Sequence, residues 1–295
     1  MAFLLVGGDS EIARATLAHL RRRGTPAVAT TRRRGHQRER VFLDLAAPLG
    51  DWQPPAGVEA ACIFAAVGHL VDCHRDPAGS RLINVTGTIE LVERLVARGI
   101  YVLFLSTNQV FDGTRAHVPA AAPLCPVSEY GRQKADTEIR LQAMLAEGSA
   151  VGILRLAKIV SPGMPLLRQW QAALAAGQSI RPFHDMVMAP TPVGVAAAAI
   201  AALLADRATG IWQLTGSRDV SYAEIGGHIA QQIGADPALV RPVTAASAGM
   251  PEGSTPRHTT LDSGALQRLF AIAAPEPWPT IEAVLAAPEA ARSIG

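Results

Sequence analysis

The sequence predicts an α/β protein with a doubly wound parallel sheet and a smaller C-terminal lobe. Short apolar runs alternate with amphipathic helical stretches from the first residues onward, the rhythm that lays parallel strands under covering helices. The first run closes on glycines, where such a sheet begins to bind ligands. Past residue 160 proline and glycine become frequent and the rhythm breaks. Residues 1–160 therefore read as the sheet domain and 161–295 mainly as the lobe, with 210–216 a strand returning to the sheet.

Taken in order, Ala2-Phe-Leu-Leu-Val-Gly-Gly8 is a buried strand entering a turn. Ser10 to Leu20 is a helix with Ile12, Leu17 and Leu20 inward. Arg21, Arg22 and Arg23 suit the negative end of its macrodipole, and Gly24 its C′ position. Strand, glycine turn and helix N-terminus together form a Rossmann-type pyrophosphate cradle of free N–H groups. Gly7, Ser10 and Ala13 hold the slots of its Gly-x-x-Gly-x-x-Gly turn, so the glycine pattern is incomplete; Ser10 reaches positive φ less cheaply than glycine. The second strand, Ala27 to Thr31, ends in Arg32, Arg33 and Arg34 without a carboxylate at its tip. That ending favours a 2′-phosphate over a bare ribose hydroxyl, hence NADP over NAD. Ala60 to Ala66, Tyr101 to Leu105 and Val151 to Leu156 are further strands, and Leu82 to Arg98 is a helix with Ile89, Val92, Leu95 and Val96 inward. Ligand belongs at the carboxyl ends of the strands, where Gly7, Arg32, Ala65, Ser106 and Thr107 fall.

One pair of residues points to chemistry. The chain has three tyrosines and two lysines, yet Tyr130 and Lys134 stand four apart in a stretch that reads as helical, Ser128 to Glu138. That spacing stacks both side chains on one helix face. An ammonium beside a phenol favours the phenolate and makes the tyrosine a better proton donor.

Composition narrows the function classes. The 295 residues are 49% hydrophobic and 18% charged, enough for a large core, and a formal net charge of +2 makes no case for nucleic acid. Cys62, Cys73 and Cys125 form no Cys-x-x-Cys, which suits reduced thiols in a cytoplasm. No secretory leader opens the chain, and its longest apolar run, Val193 to Ala205, is too short to span a bilayer and reads as a buried helix. His69, Cys73 and His74 have poor ligand spacing, so no metal site is expected.

The order Ala65-Ala66, Asn84-Val-Thr-Gly-Thr88, Ser106-Thr-Asn-Gln-Val-Phe-Asp-Gly113 and Tyr130-Gly-Arg-Gln-Lys134 resembles the extended short-chain dehydrogenase/reductase superfamily. Within it the chain is most similar to dTDP-4-dehydrorhamnose reductases, whose Ser-Thr-Asp-Tyr-Val-Phe-Asp-Gly the third segment matches. His184-Asp-Met-Val-Met-Ala-Pro-Thr191, Gly210-Ile-Trp-Gln-Leu-Thr-Gly216 and Trp278 extend the resemblance over almost the whole chain.

The resemblance implies NADPH-dependent reduction of a keto group on a nucleotide-linked sugar, by a monomer or homodimer. Thr107 would hydrogen-bond the keto oxygen, Tyr130 would protonate it, and Lys134 would bind the nicotinamide ribose and hold the phenol's pKa down. Ser106 reads as a backbone-capping neighbour. The implied cofactor residues are Gly7, Ser10, Glu11, Ile12, Arg32, Arg33, Asp44, Leu45, Ala65 and Ala66, with Tyr130 and Lys134; the implied substrate residues are Asn108, Lys158 and Asp185. The superfamily's dehydratases carry Asp-Glu after the catalytic Thr, where Asn108 and Gln109 are amides that exchange no proton near neutral pH. Departures are Lys158 at a tryptophan position and Met186 and Met188 in place of Gln and Gly, which points to a different sugar. Two alternatives stand beside the reductase: a non-catalytic NADP-binding regulatory subunit, suggested by the eroded glycine turn, and a sugar-nucleotide epimerase.

Overall fold

The computed structural model describes residues 2–33, 35, 40–162, 164–250 and 255–287. Arg34, the last of the arginine run, lies outside them. The first half of the chain runs β1 (Ala2–Val6), α1 (Glu11–Arg22), β2 (Ala27–Thr31), β3 (Arg40–Phe42), β4 (Val58–Ile63), α2 (Leu70–Arg75), α3 (Pro77–Arg81), α4 (Thr88–Val96), β5 (Tyr101–Thr107) and α5 (Glu129–Ala146). It continues through β6 (Val151–Leu156), β7 (Ile159–Val160), α6 (Pro165–Ala175), β8 (Val187–Met188), β9 (Thr191–Pro192), α7 (Val193–Asp206) and β10 (Gly210–Leu214). The last elements are β11 (Val220–Ser221), α8 (Tyr222–Gln232), α9 (Gly264–Phe270) and α10 (Pro277–Ala286).

Seven strands form one parallel sheet in the order β10-β6-β5-β4-β1-β2-β3. Strand order reverses between β1 and β4, and the crevice at that switch point is where open α/β sheets bind ligand. Successive side chains of each strand face opposite sides, so every strand needs two apolar faces. Leu4, Ile63, Val102 and Phe104 pack with Leu91, Leu95 and Leu141 of α4 and α5. On the other side Phe3, Leu5, Cys62 and Leu103 meet Leu20 of α1 and Ile200, Leu203 and Leu204 of α7.

Helix α1 begins at Ser10, whose side chain accepts from Ala13 N, and closes with Gly24 at φ +67°. There Thr25 N–H donates to Leu20 O and Gly24 N–H to Arg21 O, the bonding that ends a helix on a left-handed glycine. The helix expected over 82–98 starts earlier, at Pro77 with Asp76 as its cap, and its Leu82–Gly87 stretch is wound as a π-helix. The wider winding rotates the face that follows, so Leu91 joins Val92 and Leu95 as fully buried while Ile89 and Val96 are half-buried.

The lobe has its own core, in which Leu167 and Leu174 of α6 meet Ile225 and Ile229 of α8 and Ile281 and Val284 of α10. Two small sheets frame it, β8 with β11 and β7 with β9. The return to the sheet domain is larger than the sequence suggests. Besides β10, which pairs with β6, helices α7 and α9 also pack there through Ile200, Leu203 and Leu266. An alanine-rich helix apolar all round has to be covered, and only a sheet face offers that area. Among the described residues no helix is long and apolar enough to cross a membrane.

Candidate active site

The carboxyl ends of β1, β2 and β4 enclose a cavity of about 300 Å³. Gly7, Ser10, Arg32, Asp44, Leu45, Ala65 and Ala66, seven of the expected cofactor residues, line it together with Asp9, Thr30 and Thr31. Gly7 is at φ +85°, and a Cβ there would stand 2.6 Å from Ala65 N, so the turn that brings the two strand ends together excludes any side chain. Its N–H donates to Thr30 Oγ1 at 3.0 Å. Ser10 has φ −70°, so the second slot of the turn makes no demand for glycine here; the serine is the helix cap. The incomplete glycine pattern is therefore no sign of a decayed cradle. Glu11 and Arg33 are exposed and outside this cavity's walls, and Ile12 lines the cavity next to it.

That second cavity, about 160 Å³, shares Ser10, Phe64 and Ala66 with the first and is walled by Ser106, Thr107, Tyr130 and Lys134. Helix α5 delivers the last two. Its cap Ser128 accepts from Gly131 N, and a Cβ on Gly131 would meet Gln109 O at 2.1 Å, so glycine lets the helix start pass directly under the end of β5. Asn84 in the π-wound stretch then fastens the assembly. Its side chain accepts from Val67 N at 2.8 Å and donates to Gln133 Oε1 at 2.8 Å, linking the loop after β4 to the helix residue preceding Lys134.

Lys134 is 3% exposed. Its ammonium donates to Leu105 O at 2.8 Å and lies 4.3 Å from the Phe104 ring centroid and 5.9 Å from that of Tyr130. Burial lowers its pKa to about 8, against an opposing pull from Glu138. The phenol of Tyr130 moves the other way: burial raises it well above its ordinary value, with Cys73 adding to the rise. The expectation that Lys134 holds this pKa down is not met, because the ammonium is turned to the Leu105 carbonyl and desolvation of the phenolate dominates. Half-buried at the cavity wall, the Tyr130 phenol is thereby biased toward its protonated form.

The two hydroxyls that close β5 have different surroundings. Thr107 is the backbone cap, its Oγ1 accepting from Gln109 N at 3.2 Å, and its own proton meets only Asn108 Oδ1 at 3.4 Å. Ser106 is 6% exposed, and its Oγ has no hydrogen-bond partner among the described residues. A buried hydroxyl left unpaired on a cavity wall fits a ligand that completes it. Behind this wall Arg155 of β6 and Glu138 of α5, 1% and 0% exposed, form a bidentate pair with contacts of 2.6 and 3.1 Å. Arg155 also donates to Ala120 O and to Gln213 Oε1 of β10. Asp9 and Thr30 escaped a reading based on motif matches, the polar Thr30-Thr31 at a strand end being the available signal, while Asn84 was recognised as part of a motif without its structural role.

The sequence matches the RmlD substrate binding domain family over residues 1–288. The chain belongs to that family. Among curated relatives, the dTDP-4-keto-6-deoxy-D-glucose reductase of Streptomyces niveus is 27% identical over 82% of this chain and 82% of its own length. The dTDP-4-dehydrorhamnose reductase of Streptomyces griseus is 26% identical over 88% and 85%. The fold is that of the dTDP-4-dehydrorhamnose reductase of Bacillus anthracis solved in complex with NADP, at a TM-score of 0.78 and 16% identity over 95% of this chain and 97% of that one.

Within the RmlD frame the expected substrate residues fare differently. Asn108 opens the turn after β5, beside Thr107. Asp185 is committed to the lobe's own structure, its carboxylate accepting from Ala245 N at 2.9 and 3.1 Å. Lys158 is exposed and does not line the cavity that holds Tyr130; its neighbours Ala157 and Ile159 do. Met186 is half-buried and Met188 lies in the lobe core, so Met188 is a packing residue.

Proposed function

We propose that the protein reduces a keto group on a nucleotide-linked sugar, with NADPH as the preferred hydride donor. The observation that carries this reading is the pair of adjoining cavities. One is shaped by strand ends and a helix N-terminus for a dinucleotide, and the other holds Thr107, Tyr130 and Lys134 at its far end. The cofactor fits the residues present: Gly7 leaves room for backbone approach, the N-terminus of α1 offers free N–H groups to a pyrophosphate, and the unpaired Ser106 Oγ awaits a polar partner. Arg32 on the cavity wall and Arg33 beside it supply positive charge for a 2′-phosphate.

When bound, the dihydronicotinamide supplies the hydride that reduces the carbonyl carbon. The chain's residues deal with the oxygen. Thr107 donates a hydrogen bond to it and Tyr130 O–H gives it a proton, so the alcohol forms without free hydroxide or hydronium. Raised by burial, the tyrosine's pKa keeps the proton in place until the oxygen becomes basic. Lys134 orients ribose hydroxyls and then assists recharging of the phenolate. The Gln109 side chain accepts from Ser128 Oγ, and neither it nor Asn108 is an acid or base, which separates this site from dehydration.

The test is Tyr130→Phe, assayed with NADPH and a panel of nucleotide-linked 4-keto sugars. Ketone reduction should fall by roughly 10²–10⁴-fold, while cofactor affinity stays within a few-fold. A variant as active as the parent on an accepted substrate removes Tyr130 as the acid. A parent that binds cofactor and reduces nothing in the panel favours the non-catalytic subunit instead.

A further inference from the structure

We infer that Arg40 decides whether this cofactor site accepts a 2′-phosphate, by holding the carboxylate of Asp9 at the tip of β2. The inference rests on the nicotinamide cofactor proposed above and deepens it. No carboxylate follows β2 in sequence, but the fold brings one there from another loop. Asp9, in the turn after β1, lines the first cavity together with Thr31 and Arg32. Its Oδ2 accepts from Thr31 Oγ1 at 2.7 Å, and Oδ1 is ion-paired with Arg40 of β3. The Thr31 hydroxyl oxygen in turn accepts from Arg33 N at 3.1 Å, so the carboxylate is tied to the segment that carries the arginines.

A carboxylate at the end of the second strand is the feature that selects a bare ribose, since it accepts from the 2′-hydroxyl and repels a 2′-phosphate. Asp9 is in position to do both. Its pairing with Arg40 changes the balance: the two charges cancel, both carboxylate oxygens are engaged, and the positive charge of Arg32 remains for the phosphate. Both side chains are about one-third exposed, 30% and 32%, so the pair sits at the cavity mouth, open to a ligand. Arg40 is a specificity-determining residue acting through Asp9. Its place on β3, opposite Ala29 and two residues before the level of Thr31, aims it across the strand end rather than along the cavity floor.

Dissociation constants of NADP⁺ and NAD⁺ for the full chain, read by intrinsic fluorescence at low ionic strength, test this without turnover. Arg40→Gln should weaken NADP⁺ by about tenfold or more, as expected for unmasking one charge near a phosphate, and leave NAD⁺ unchanged or tighter. Asp9→Asn added to Arg40→Gln should bring NADP⁺ back to within about threefold of the parent, because nothing is left to mask. Asp9→Asn alone should leave NADP⁺ as tight as in the parent or tighter, because it frees the charge of Arg40. An unchanged ratio in Arg40→Gln overturns the inference. So does a loss of NADP⁺ that Asp9→Asn fails to rescue, since Arg40 would then touch the phosphate itself. The double variant lacks the ion pair and both its charges, so its thermal unfolding midpoint tells loss of folding from loss of binding. A parent that binds neither dinucleotide overturns the cofactor reading too, whereas a parent that binds with an unmoved ratio overturns this inference alone.

Discussion

The sheet domain and the lobe are built on different principles. On the cofactor side, much of the lining lies within a few residues of the end of a long-laddered strand: Gly7 after β1, Arg32 after β2, Ala65 after β4, and Ser106 and Thr107 closing β5. Their positions follow from sheet topology and backbone bonding. In the lobe the strands β7, β8, β9 and β11 have two residues each, and isolated bridges join Ile180 to Val240 and Phe183 to Val243. Scattered backbone bonds between loops, such as Arg241 N to Ile180 O and His184 N to Val243 O, share the fastening with single side chains there. Asp185 holds Ala245 N, while Asp219 holds Thr259 and Thr260. A region fixed by backbone tolerates side-chain exchange, whereas one fixed partly by side chains moves when one is replaced.

The buried ion pair behind Ser106 and Thr107 should give the largest effect. Arg155→Leu leaves Glu138 buried without its cation and cuts the bonds to Ala120 and Gln213, and the expected loss is about 3–5 kcal/mol in denaturant unfolding. Replacing Glu138 by Leu as well should recover much of it. A single-variant loss below about 1 kcal/mol would show that the fold does not depend on this pair.

Lys134 tests the sheet domain by pH. Its folded pKa of about 8 lies below the ordinary lysine value, so the unfolded chain binds the extra proton between the two. The charged, buried lysine weakens the fold fully below pH 8, and this burden disappears as pH rises toward the unfolded value. Cofactor-free Lys134→Met should accordingly melt higher than the parent at pH 7, by up to about 3 kcal/mol, with the gap closing above pH 8. A gap independent of pH would assign the difference to packing.

In the lobe, Asp185→Ala removes an acceptor from a backbone N–H. It should cost about 1–2 kcal/mol and raise KM for the sugar nucleotide while cofactor affinity holds. Equal losses in both would contradict the separation of the two regions. The smallest effect is expected for Lys158→Ala. Exposed and outside the cavity, it should leave KM within about twofold, which is near the limit of resolvable binding differences; a tenfold rise would return this residue to the substrate, as the family pattern alone suggests.

How much of this was legible follows from how each feature is encoded. Strands and helices of the sheet domain announce themselves through local apolar periodicity, and the catalytic pair through i, i+4 spacing, because both are properties of neighbouring residues. The π-wound stretch before α4 was not legible, since it depends on Asn84 reaching Val67 and Gln133. Nor was the place of α7, which reads as a buried helix without saying what buries it. The sequence by itself determined the parallel sheet and the strand–turn–helix cradle, and it singled out Thr107, Tyr130 and Lys134, which line one cavity. Only the tertiary structure decided that Ser10 is a cap, that Ser106 is the unpaired hydroxyl, that burial raises Tyr130, and that Asp9 stands at the tip of β2. Each of these depends on groups distant in the chain meeting in a desolvated space, and neither distance nor desolvation is written in local order.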